Sequence, residues 1–189
     1  YITNKDDNYI YNSIPEFSSS NALLGASEWV GDIIDLDSHT DLLVIAKKTG
    51  TTTGEIRRFS PFGPETSFYS LDSIPSKIIY VSKFLLDYVF FNSGGDTLLQ
   101  VYKQGILYRS ATITDEWSHF SYSRGVIYCV KENRLFSFSA ESVKGNELID
   151  PIEIAVDLGS SGEIFHLQCD EINEKIYILS SIKVFIISF

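Results

Sequence analysis

Chemistry in this chain would have to come from a few short groups of side chains. Asp35-x-Asp37-x-His39-x-Asp41 places oxygen donors at alternate positions, as a calcium loop does. It lacks the glycine at the sixth position and the closing glutamate that wrap such an ion. The stretch aligns with a later one, Cys169–Glu174. Both are therefore expected to be solvated hairpin turns, with Asp170, Glu171 and Glu174 on the second. Lys47-Lys48 and Arg57-Arg58 flank Thr49–Gly54. If the flanking strands pair, these cations converge at one end of a hairpin, where they would hold a phosphate or an acidic partner segment. A solvated basic hairpin is the plainer reading. His39, His119 and His166 stand alone, none at a metal-ligand spacing.

Glu28-Trp29 recurs 88 positions later as Glu116-Trp117. A large aromatic at such a junction is expected to pack between repeating units, with ligand stacking as the alternative. No G-x-S-x-G elbow, Cys–His signature, phosphate loop or H-E-x-x-H occurs. Glu163 and Asp32 are too few for the converging carboxylates of a glycosidase. The expectation is a protein without catalytic residues, cofactor or metal.

Charge and composition narrow the partners. With 25 Asp and Glu against 15 Lys and Arg, the net charge is −10, so neither nucleic acid nor membrane insertion is expected. No apolar run approaches a membrane span, and no charged-then-apolar signal segment is visible. Cys129 and Cys169 sit in or beside apolar strands and are expected to be free buried thiols, although their even number leaves a bridge open. None of the eight asparagines begins an N-x-S/T sequon, which slightly favours an intracellular home. The chain begins at Tyr1 and contains no Met, as a processed form or a piece of a longer chain would.

The elements that must carry these residues are strands. Leu43-Val44-Ile45, Val89-Phe90-Phe91, Ile127-Tyr128-Cys129 and Ile176-Tyr177-Ile178 begin 46, 38 and 49 positions apart. The strand after each keeps the same beat: Ile56, Leu99, Leu135 and Val184 are 43, 36 and 49 apart. β-Branched and aromatic runs joined by tight polar turns form antiparallel strands. A period in the forties built of short strands is a propeller blade. The predicted blades are 1–28 (partial), 29–72, 73–115, 116–159 and 160–189 (partial). Their inner strands fall near 32–36, 77–81, 119–122 and 164–168. The partial ends suggest part of a larger ring. In the alternative, Ala22–Gly25 supplies the missing strand of the last blade and closes a compact four- or five-bladed propeller.

The repeat resembles the β-propeller superfamily in the broad, WD-repeat-like sense, although the Gly-His and Trp-Asp signatures are absent. One segment, Ala111-Thr112-Ile113-x-x-Glu116-Trp117-Ser118-His119-Phe120 with Val126–Val130, resembles a repeat of the tachylectin-type propeller lectins. The broad resemblance implies an all-β propeller of four-stranded antiparallel blades. Its implied function is non-catalytic binding of other protein subunits in a larger assembly. The narrower one implies a lectin for N-acetylated sugars, with Trp29, Trp117 and His119 lining shallow glycan pockets.

Overall fold

The computed structural model of the chain describes residues 2–4, 9–11, 22–24, 33–39, 42–59, 65–117, 119–156, 158–159 and 162–188. Tight turns delimit its strands. Gly94 and Gly95 take φ of +64° and +101°, the left-handed pair that a two-residue hairpin requires and that glycine adopts without strain. Arg124-Gly125 and Glu132-Asn133 repeat the device with positive φ at both positions. The strands they join are β-branched and aromatic, alternating between two buried faces.

Three short strands, β1 (Ile2–Asn4), β2 (Tyr9–Tyr11) and β3 (Ala22–Leu24), form a sheet in that order. The second blade is β4 (Ile33–His39), β5 (Leu42–Lys48), β6 (Gly54–Phe59) and β7 (Glu65–Leu71), paired in sequence. The third is β8 (Lys77–Val81), β9 (Leu86–Ser93), β10 (Asp96–Lys103) and β11 (Ile106–Ile113). In the fourth, β12 (His119–Ser123), β13 (Val126–Lys131) and β14 (Arg134–Ser139) are followed by a crossing strand, β15 (Glu147–Ile149), before β16 (Ile152–Ile154) completes the sheet. The fifth holds β17 (Ile164–Asp170), β18 (Lys175–Ser180) and β19 (Val184–Ser188). Inner strands β4, β8, β12 and β17 lie next to one another in that order, and the four sheets stand as blades of a propeller.

The gaps between the second and third, third and fourth, and fourth and fifth blades are each filled by an apolar cluster. Val44, Ile56, Val89 and Phe91 occupy the gap between the second and third blades. Phe90, Phe120, Ile127 and Trp117 fill the next, where the Phe90 and Phe120 rings stack at 3.9 Å. Leu135, Leu167, Ile176 and Ile178 fill the last. Burial of this kind, about 1.5–3 kcal/mol per large side chain, is what holds separate small sheets in one body.

Ala22–Leu24 pairs with β2 as the outer strand of the first sheet. Two expectations need correction. Glu147–Ile149, expected within the blade 116–159, runs parallel to β11 as a fifth strand on the third blade. It covers an edge that would otherwise expose unpaired backbone groups, and its Ile149 is buried in the cluster beneath. Asp37–Thr40 was expected to be a turn, yet Asp37 and His39 lie within β4.

Candidate functional site

Inner strands of a propeller leave one edge facing the central opening, and polar side chains satisfy that edge here. Asp35 and Asp37, two apart on β4, aim the same way. Asp35 Oδ2 accepts from the Ile78 N–H at 2.8 Å, and Asp37 Oδ2 from the Tyr80 N–H at 2.7 Å. Lys77 Nζ adds an ion pair to Asp35 Oδ1 at 3.1 Å. Two blades onward, Ser121 Oγ accepts from the Cys169 N–H at 2.8 Å. The aspartates are therefore neither calcium ligands nor a solvated turn; they are side-chain substitutes for a strand neighbour. Asp170 does cap its own turn, accepting from the Ile172 and Asn173 N–H groups. Its carboxyl is held below the usual range, first by the Asn173 side-chain bond.

These inner strands border a cavity of about 900 Å³ that opens where the β8–β9, β12–β13 and β17–β18 turns emerge. Tyr88 and Tyr122, with ring centroids 6.2 Å apart, form part of its wall. Burial pushes the Tyr88 hydroxyl up to about 12, so it remains a neutral hydrogen-bonding group. On the rim, Arg124 gathers the neighbouring blade's turn. Its N–H donates to Glu171 Oε1 at 2.9 Å and its Nη1 to Glu174 Oε1 at 2.8 Å.

The third blade supplies the most unusual part of the rim. The β10–β11 register slips after Val101↔Arg109, so that Tyr102 faces Leu107 and Tyr108 is left without a strand partner. Bulges of this kind re-aim a side chain. Here Tyr108 is turned to the cavity, with the Arg109 guanidinium 4.5 Å from its ring centroid and donating to its hydroxyl at 2.9 Å. Beside it, exposed Phe84 and Leu85 crown the turn after β8, while Ile106 and Leu107 crown the β10–β11 hairpin.

The predicted binding residues are placed elsewhere. Arg57 and Arg58, adjacent on β6, point to opposite faces, as any neighbouring strand residues must. Arg58 is buried and donates to Asp87 of the third blade; Arg57 is paired with Glu55 at 2.5 Å. Lys47 and Lys48 lie in β5 opposite Glu55 and Gly54, their side chains outside the described residues. Arg58 therefore reaches into the neighbouring blade rather than towards the hairpin end. Trp29 also falls outside the described residues. Trp117 is 3% exposed; its Nε1 donates to Thr114 O at 2.6 Å and its ring meets Phe136 edge-on. It is an inter-blade wedge, as its repeat position predicts, and cannot offer a face to a sugar. His119 is half-buried on β12, outside the cavity wall. His166 lines the cavity, His39 lies in β4, and Cys129 and Cys169 are free and buried. Among the described residues no cluster of His, Cys, Asp and Glu is grouped to hold a metal ion.

His119 provides a pH-dependent prediction. Burial holds its pKa below the ordinary value, reinforced by Lys77 and His166 and opposed by a backbone bond to Ile164 and by Glu163. The unfolded chain therefore takes up this proton first. The stabilising contribution is present above about pH 6.5 and is lost as pH falls through the folded-state pKa. Thermal melts at a series of pH values should show a shallower acid-side loss for His119→Gln than for the native protein; parallel curves would contradict it.

No family model matches the chain, and no curated protein matches it by sequence. Solved structures do. Kluyveromyces lactis Hsv2 aligns with TM-score 0.52 and 14% identity over 77% of this chain and 52% of its own. The gluconolactonase XC5397 of Xanthomonas campestris aligns with TM-score 0.57 and 11% identity, over 83% and 57%. The β-propeller domain of Myceliophteria thermophila Cps50 (Swd1) gives 0.54 and 10%, over 84% and 54%. Hsv2 and Swd1 are WD40 propellers, so the resemblance in repeat pattern extends to three dimensions. The chain spans between 52% and 57% of the length of these structures. At such identities the likeness concerns the fold.

Proposed function

We propose that this chain is a non-catalytic binding module that docks other proteins through the propeller face where the cavity opens. The observation that carries the reading is the rim of the third blade, where Phe84, Leu85, Ile106, Leu107 and Tyr108 stand exposed together beside cations. Hairpin tips are ordinarily polar, and a cluster of large apolar side chains at one marks an interaction surface. WD40 propellers among the similar structures are consistent with a protein-binding role, while the gluconolactonase shows that the fold by itself does not decide function. Sugar binding of the tachylectin kind loses Trp117 to the core.

The test is substitution of exposed residues alone. Phe84→Ser, Leu107→Ser and Tyr108→Ser combined should leave the melting temperature nearly unchanged, because surface changes typically cost within about 0.5 kcal/mol. The same variant should lose the proteins that the native chain captures from extracts of the source cells. Undiminished capture by a folded variant would overturn the reading.

A further inference from the structure

The chemistry of the docked partner is written in the charge of the rim, and the inference rests on the docking reading above. The chain carries −10 overall, yet five of its Lys and Arg side chains, Lys77, Lys83, Lys103, Arg109 and Arg124, line this cavity, against three carboxylates. Those carboxylates include groups already engaged between blades: Asp37 accepts from Tyr80 N–H, and Glu171 from Arg124. Lys77 is likewise held by Asp35. Lys83 and Lys103 are exposed on neighbouring turns of the third blade. The Lys83 ammonium lies 5.4 Å from the Phe84 ring centroid. Arg109, fixed against Tyr108 and Val143 O, is ordered before any partner arrives. Lys83 and Arg109 therefore each stand beside an exposed aromatic ring on the rim.

We infer that this rim holds a short extended acidic segment of a partner protein, in which carboxylates alternate with large apolar side chains. An extended segment sends successive side chains to opposite sides. The carboxylates meet Lys83, Lys103 and Arg109 while the apolar groups settle against Phe84, Leu85 and Tyr108. Nucleic acid, a longer polyanion, would run onto the acidic surface beyond the patch and has no apolar complement for these residues. A positive rim on a negative body also orients the incoming segment and speeds its encounter.

Fluorescence anisotropy of labelled synthetic peptides tests this. One peptide alternates Glu with Leu and Phe, and its counterpart carries Lys in place of every Glu. The Glu peptide should bind saturably, weaken as salt shortens the range of the charges, and lose at least about tenfold in affinity on Lys83→Glu with Lys103→Glu. If charge reversal disturbs folding, Lys83→Gln with Lys103→Gln gives the same ordering with a smaller loss. Failure of the Glu peptide to bind, equal binding of the Lys peptide, or indifference to both variant pairs would overturn the inference. If those failures coincide with capture that still depends on Phe84, Leu107 and Tyr108, the acidic partner is wrong and the docking face stands. If that dependence is lost too, both fall.

Discussion

Replacing Asp87 by Ala should lower the unfolding free energy by about 3–5 kcal/mol, the range found when one member of a buried ion pair is removed. Asp87 is fully buried at the start of β9. Arg58 reaches it from the second blade, donating through Nη2, and the Tyr69 hydroxyl donates to the same carboxylate oxygen at 2.7 Å. The guanidinium carbon also lies 5.7 Å from the Tyr69 and 5.9 Å from the Tyr80 ring centroid. Burial raises the Asp87 pKa despite the pull of Arg58, and it raises that of Tyr69 well beyond the usual phenol range. Removing the carboxylate takes away the buried acceptor that the Arg58 guanidinium and the Tyr69 hydroxyl share. The pair itself is a different matter, because desolvating both ions offsets much of their attraction. Arg58→Met with Asp87→Leu should therefore recover most of what Asp87→Ala loses. Urea denaturation of the three variants measures this. A loss under about 1 kcal/mol for Asp87→Ala would mean that the site is hydrated and the pair worth no more than a surface one.

The second large effect is expected at the inner edge. Asp35→Ala with Asp37→Ala should cost about 1.5–3 kcal/mol at each position, the value of a hydrogen bond to a charged group. The change leaves the Ile78 and Tyr80 N–H groups without acceptors and Lys77 without its ion pair. Asp35→Asn with Asp37→Asn keeps an acceptor oxygen at each site and should recover part of the loss. The same variants answer the metal question, since added calcium should shift the melting temperature of neither the native protein nor the variants. Equal stability of the alanine variant and the native protein would contradict the edge-capping role.

Strand positions were legible because the blades repeat an apolar alternation, ended in the third and fourth by turns whose residues take positive φ. Arg124-Gly125 and Ser93–Asp96 announce their hairpins by composition alone. What escaped was set by distance in sequence. Glu147–Ile149 is too short to show an alternation, and its partner β11 lies more than thirty residues earlier. Asp35 and Asp37 read as turn formers because their acceptor role depends on a strand of the next blade. Arg57 and Arg58 looked like one cluster, though strand geometry alone separates them, and only the tertiary position of Asp87 shows which one is buried. The rim was not legible either: Ile106-Leu107-Tyr108 reads as the start of a strand. Its meeting with Lys83 and Phe84 required the fold.

Site-directed photo-crosslinking tests the docking face most directly. A benzophenone amino acid placed at position 84 or 108 reports on the cavity rim, and one at position 93 reports on the turn at the opposite end of the same blade. All three are exposed, so folding is not at issue. The account predicts partner adducts from positions 84 and 108 and none from 93. Adducts confined to position 93, or no difference among the three, would contradict it.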